Sequence, residues 1–294
     1  MPCFIVAQEL DGISVRSFLG KHCNVSARLL ARLKRTENGM TVNGRTVRSI
    51  DVLKGGDRIE LTLPADESDI EPVELPIEIV YEDETMLVLN KPPFMPVHPV
   101  HEHQMDTLAN AVMYYYRQKG EKCTFRAVNR LDKDTSGLVI AAKSGYAHTF
   151  LSSSVKKKYT ALCEGILEGS GTVDAPIRIK EGHTIQREAG EGGVSAVTHY
   201  IALCSAFGHT LLSLSLETGR THQIRTHLSH IGHPLAGDEM YGGSRKVFQR
   251  QCLHCSELEI IKPVSMERLV LKSSAEDWIG QLKKYFSSQG NQSS

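Results

Sequence analysis

Thirteen residues in the first third of the chain, PADESDIEPVELP (residues 64–76), do most to constrain the fold. Three prolines interrupt the segment, and each fixes φ and removes a backbone donor. No apolar period of a helix or a strand runs through it. Between residues 64 and 84 there are nine acidic residues and no basic ones. Such a stretch reads as a linker. The chain therefore divides into a small body, residues 1–63, and a large body, residues 77–286. A polar tail, residues 287–294, is expected to be disordered. Charge follows the same division. Lys+Arg and Asp+Glu both number 34, yet the small body holds 10 basic and 6 acidic residues, and the chain beyond residue 84 holds 24 and 19. A basic face on either body can meet a polyanion; a mixed solvated surface fits the charge equally well.

The small body has its own pattern. In GISVRSFLGKH, Ile13, Val15, Phe18 and Leu19 recur at helical spacing. Ser26 is the expected N-cap of a second helix, with Val25 and Leu30 as a hydrophobic staple. That helix sets Leu29, Leu30 and Leu33 on one side and Arg28, Arg32 and Arg35 on another, and Gly39 is expected to end it. MTVNGRTV then reads as a hairpin with an Asn43-Gly44 turn. A further strand alternates at Ile59, Leu61 and Leu63.

In the large body, strand-like runs follow one another as well as alternating with helical ones. PIEIVYED, TMLVLNKP, GLVIAAKS and KKYTALCEG read as strands. TLANAVMYYYRQ, with Asp106 as its expected cap, and YAHTFLSSSV read as helices. TLLSLSLETG alternates at Leu212, Leu214 and Leu216, and the next segment has helical spacing at Ile224, Leu228 and Ile231. The expected class is α+β with a mixed, largely antiparallel sheet.

Seven cysteines scattered along the chain do not form a disulfide framework, which points to a reducing cytoplasm. The amino terminus has no signal-peptide pattern, and no apolar run reaches the ~20 residues that span a bilayer. No membrane partner is expected, and the chain is expected to be a monomer.

Two segments carry candidate chemistry. In RLDKDTSGL, three charged residues sit between apolar flanks, and Asp132 belongs either to a turn or to an active site. In ETGRTHQIRTHLSHIGHPLAGDEMYGG, Arg220, His222, Arg225 and His227 fall within eight residues. An arginine on a core-facing helix needs a carboxylate partner, and Asp132 is the expected one. Such a pair keeps the carboxylate ionised, as a nucleophile or base requires. A purely structural ion pair is the alternative.

These motifs together resemble the RluA-type pseudouridine synthases. NRLDKDTSGLVIAAKS is similar to the family's catalytic-aspartate signature. NKPPFMPVHP, KKYTALCEG, TGRTHQIRTHLSHIGHPLAGDEMYGG and LHCSELEIIKP, with Asp277-Trp278, follow in the family's order. The small body resembles the αL RNA-binding module of a small-subunit ribosomal protein and several RNA-modifying enzymes, through its basic helix, the Gly39 turn, VNG at residues 42–44 and GD.I at residues 56–59. The resemblance implies a mixed sheet with a catalytic cleft along it. It also implies isomerisation of uridine in structured RNA, with large-subunit ribosomal RNA as the expected target and transfer RNA as the alternative. Asp132 matches the essential aspartate, Tyr159 the tyrosine that stacks on the base, and Arg225 the arginine that pairs with the aspartate. Asn129, Arg130, Thr135, Arg220 and His222 match substrate-handling positions, and Arg28, Arg32 and Arg35 an RNA-facing helix. No cofactor is implied, because nothing is oxidised. Two positions depart from the pattern: Asn129 stands where the signature has His, and Phe94 where it usually has Gly.

Three other readings compete. His98, His101 and His103, or Cys252, His254 and Cys255, could suggest a metal, but paired ligand spacing is missing and no metal site is expected. Asp132 and Asp134, two residues apart, would share a face in a strand and have open geometry in a turn, whereas a carboxylate-pair hydrolase needs two carboxylates placed across a bond. A noncatalytic RNA-binding or ribosome-assembly factor would be expected to lose Asp132, Tyr159 or Arg225.

Overall fold

A computed structural model describes residues 2–63, 68–275, 278–280 and 282. The expected disordered tail and Asp277 lie outside the described residues. The small body comprises β1 (Cys3–Ile5), α1 (Val15–Lys21), α2 (Ala27–Leu33), β2 (Met40–Val42), β3 (Arg45–Thr46) and β4 (Arg58–Leu61). Its strands pair in the order β1-β4-β2-β3. Ser26 caps α2 by accepting from the Leu29 N–H, as expected, and Val25 and Leu30 are both buried. Asn43 and Gly44 take positive φ, 50° and 79°, which gives the hairpin a primed turn matching strand twist.

Two local expectations need correction. Helix α2 ends at Leu33, so Arg35 lies beyond it. Gly39 has a different task from ending the helix: a Cβ there would lie 2.1 Å from the Leu33 carbonyl oxygen. The second correction concerns the long helix of the large body, which is capped by Thr107. The Thr107 hydroxyl and the Asn110 side chain cap each other's backbone N–H groups, while Asp106 is occupied by His103 Nδ1 at 2.6 Å.

The large body continues with β5 (Glu78–Glu82), β6 (Met86–Lys91), α3 (Leu108–Gln118), β7 (Ser136–Ala142), α4 (Gly145–Ser154), β8 (Lys156–Glu164), β9 (Ser170–Asp174), β10 (Ile177–Ile179), β11 (Arg187–Ala189), β12 (Val197–Ala206), β13 (His209–Leu216), α5 (Gln223–His230), β14 (Leu253–Ile261) and β15 (Arg268–Lys272). Among the described residues, nine strands form one sheet along β5-β6-β7-β14-β8-β13-β12-β9, with β15 on β14. Every pair is antiparallel except β7 with β14. The class is the expected mixed α+β. At the parallel contact Gly137 has φ 114°, and a Cβ would meet the Cys255 carbonyl oxygen at 2.4 Å. Strand β7 is buried along its whole length, as a run of small and branched apolar residues in the middle of a covered sheet should be.

The acidic connector is tied down at its carboxyl end. Asn110 Nδ2 donates to the Glu71 carbonyl at 2.7 Å, and the Val73 N–H donates to the Asn110 carbonyl at 3.1 Å. The two bodies also touch. Tyr146 of α4 is buried in the small body's apolar cluster and meets Phe4 edge-on at 5.9 Å.

Candidate active site

The loop before β7 is built to hold one side chain still. Asn129 is buried, and its amide behaves as an extra rung on β7. Its Nδ2 donates to the Leu138 carbonyl, its Oδ1 accepts from the Ile140 N–H, both at 3.0 Å. The Thr135 N–H donates to the Asp132 carbonyl at 3.0 Å, closing the turn that the TSG motif suggests. Arg250 Nη1 donates to the Asp134 carbonyl at 3.0 Å, and Gln251 Nε2 to Thr135 Oγ1 at 3.3 Å. Lys91 is fully buried, and its ammonium donates to the carbonyls of Pro92, Met95 and Lys133 at 2.8, 2.8 and 3.0 Å. Burial pushes the Lys91 pKa down to about 7, with the Arg250 charge adding and Asp134 and Asp132 opposing.

The carboxylate presented by this loop is Asp132, a quarter exposed (26%). Arg225 Nη1 donates to its Oδ2 at 3.1 Å. The expected pairing is present, but Asp132 is the lesser of two partners. Arg225 Nε and Nη2 donate to Asp238 Oδ2 and Oδ1 at 2.7 and 2.8 Å, a two-pronged contact between side chains only 7% and 2% exposed. Burial alone would lower the arginine pKa; the bonds and charges of Asp238 and then Asp132 outweigh it and raise it. A guanidinium so held is a permanent cation beside Asp132.

Tyr241 completes this arrangement. Its ring lies 4.9 Å from the Arg225 guanidinium carbon, a cation–π contact. Its hydroxyl accepts from the Arg187 N–H and meets His222 Nδ1, both at 2.9 Å. Asp238 and Tyr241 sit on one tight turn between Gly237 and Gly242, at φ 80° and 97°. His222 precedes α5 in the left-handed region at φ 55°, and its Nε2 is 3.8 Å from Asp132 Oδ2. Burial lowers the His222 pKa, and the opposing pull of Asp132 does not cancel this.

Asp132 and Tyr159 line one cleft of about 540 Å³. Burial holds the Tyr159 phenol well above the usual tyrosine pKa, with Cys255 and Asp132 adding to the effect. Arg130, Lys133, Lys157 and Arg220 also line the cleft, and among the described lining residues Asp132 is its one acid. Strand alternation explains Lys157. Lys156 and Lys158 face the other way and pair with Glu259 and Glu257, which leaves Lys157 and Tyr159 together on the cleft side. An inner recess of about 60 Å³ brings Asp132, Tyr159, Thr135, His222 and Arg225 together.

Most of the expected residues thus converge. Arg130, Thr135, Arg220 and His222 line the cleft or its recess. Asn129 lines the wall while its amide is spent on β7. Arg28, Arg32 and Arg35 are exposed on the small body and do not line the cleft. Sequence reasoning missed the roles of Lys91, Lys157, Asp238 and Tyr241. The available signal was the placement of an acid and an aromatic between glycines in GDEMYGG.

Comparison with known proteins finds relatives across most of the chain. The family described as RNA pseudouridylate synthase matches residues 85–230. The uncharacterised RNA pseudouridine synthase YjbO of Bacillus subtilis is 39% identical over 267 residues, covering 87% of this chain and 93% of the relative. The ribosomal large subunit pseudouridine synthase D of Pseudomonas aeruginosa is 36% identical over 296 residues, covering 93% and 90%. Among solved structures, human RNA pseudouridylate synthase domain containing 1 superposes with a TM-score of 0.54 at 26% identity, covering 72% of this chain and 86% of that one.

Proposed function

The chain belongs to the RNA pseudouridylate synthase family, and from that premise we propose that it isomerises uridine in large-subunit ribosomal RNA with Asp132 as the catalytic carboxylate. It is an RNA pseudouridine synthase, an isomerase, and its partner is RNA. The ribosomal target is supported by a relative named for the large ribosomal subunit at 36% identity over nearly the whole chain. A cytoplasmic setting is supported by seven free cysteines.

One observation carries the reading. Among the described residues lining the cleft Asp132 is the one acid, set beside four cationic side chains, with a buried arginine at 3.1 Å and an aromatic ring alongside. The reaction needs each part. The C1′–N1 bond of uridine breaks, the ring turns, and C5 bonds to C1′. The proton that leaves C5 is balanced by one gained at N1. An ionised carboxylate is required to attack or to take a proton, and Arg225 sets a guanidinium 3.1 Å from Asp132. The uridine must leave its stack to reach the recess, and Tyr159 offers it an aromatic face. Arg130, Lys133, Lys157 and Arg220 suit the phosphates on either side, and Thr135 and Asn129 hold the loop. Arg28, Arg32 and Arg35 give the small body a cationic surface for RNA outside the cleft.

The test uses RNA tritiated at uracil C5, which releases label only when uridine is isomerised. The wild-type enzyme releases tritium and Asp132→Asn does not. Release by that variant at the wild-type rate would remove Asp132 from the chemistry.

A further inference from the structure

We infer that His222 is a catalytic hydrogen-bond donor: its Nε2–H meets the pyrimidine carbonyl oxygen on which negative charge gathers as the C1′–N1 bond opens. This rests on the isomerase reading and assigns a task separate from those of the carboxylate and the stacking tyrosine.

The backbone is the first observation. His222 holds φ at 55°, a region that side-chain-bearing residues seldom adopt. Strain of this kind persists where surrounding structure enforces it, and it concentrates at functional sites. Here it turns the imidazole into the recess beside Asp132, Tyr159 and Thr135.

The second observation is the ring's orientation. The Tyr241 hydroxyl accepts from the Arg187 N–H at 2.9 Å and lies 2.9 Å from His222 Nδ1, to which it can give its own proton. The two rings meet edge-on, at 5.7 Å and 88°. With Nδ1 accepting, the neutral ring carries its proton on Nε2. That nitrogen is 3.8 Å from Asp132 Oδ2, too far for a hydrogen bond. The donor thus faces the recess without being spent on Asp132. Arg225 is committed to Asp132 through Nη1 and to Asp238 through Nε and Nη2.

Chemistry supplies the third argument. When C1′–N1 breaks, its electron pair stays with the uracil and spreads over the ring nitrogens and carbonyl oxygens. A fixed donor in the recess stabilises that charge more than it stabilises the neutral uridine. The donor keeps its proton throughout, so the balance of the isomerisation is untouched. The groups facing His222 are Asp132 from its loop, Arg225 from α5, Asp238 and Tyr241 from the tight turn, and Arg187 from β11. Burial dominates their combined effect and keeps the ring neutral at physiological pH.

The experiment compares His222→Phe, which has no donor, with His222→Gln, whose amide can donate, on a C5-tritiated stem-loop. His222→Phe should lower kcat about 100-fold with KM within about threefold, the scale of losing one oxyanion-type donor. His222→Gln should recover most of that loss, again with KM within about threefold of wild type, because its amide restores a donor. Equal losses of kcat in both variants would make His222 merely structural and overturn the proposal. A Phe variant with wild-type kcat would overturn it too. Failure of the wild-type enzyme to release tritium would instead strike the isomerase reading.

Discussion

Replacing Asp238 with alanine isolates the ion pair behind the site. Asp238 and Arg225 share two hydrogen bonds of 2.7 and 2.8 Å between side chains 2% and 7% exposed. Removing one partner from such a pair costs about 3–5 kcal/mol, because the other charge stays buried and uncompensated. Asp132, at 3.1 Å and a quarter exposed, offsets only part of this. At roughly 2–4 °C per kcal/mol for a body of this size, the melting temperature should fall by about 10 °C. Turnover should fall as well, since the guanidinium loses the two bonds that aim it at Asp132. The companion variant, Asp238→Leu with Arg225→Met, replaces the pair by apolar groups of similar bulk. It should recover most of the stability and none of the activity. The assay is thermal unfolding followed by circular dichroism, alongside tritium release. The reasoning fails if Asp238→Ala melts within 1–2 °C of wild type on the ~10 °C scale expected, or if the double variant is as unstable as the single one.

Two further outcomes follow from the same geometry. Lys91 binds its proton less tightly when folded (about 7) than when unfolded (10.5), so the unfolded chain holds more protons between those values. The stability of wild type relative to Lys91→Met should therefore rise with pH across that window, by up to about 1.4 kcal/mol per unit; a pH-independent difference in urea unfolding would refute it. Lys157→Gln should reduce the slope of log Kd against log salt by about 0.7–0.9, the signature of one lost phosphate contact, and a filter-binding series with an unchanged slope would take Lys157 off the RNA.

Elements whose apolar period is local were legible in the chain itself. The alternation at Leu212 and Leu214 became β13 with both residues buried, and Ser26 capped α2 where the staple pattern put it. Strand β12 was missed because its side chains are mostly half-exposed or exposed, and its pairing with β13 and β9 determines its conformation more than any pattern of its own. The Asp106 cap failed because two adjacent candidates competed, and tertiary contact gave Asp106 to His103 and the cap to Thr107. The site divides in the same way. Asp132, Tyr159 and Arg225 stood out because their motifs carry them, and the Arg225–Asp132 contact exists. That Arg225 leans more heavily on Asp238 is a fact of three-dimensional packing. Asn129 stands where the signature has His, and only the packing reveals that its amide is a rung of β7.

The position of β14 has a consequence for how the enzyme is made. Strands β7 and β8 are near neighbours in sequence, yet β14, from far down the chain, lies between them. Asp132 leads into β7, and Tyr159 lies on β8 directly across from Cys255 of β14. A nascent chain emerging from the ribosome therefore displays both residues long before the strand that fastens them together has been translated. Until that late segment slides in, with Gly137 leaving room for the Cys255 backbone, the halves of the cleft have no common frame. A chain truncated before β14 is therefore expected to release no tritium from C5-labelled RNA.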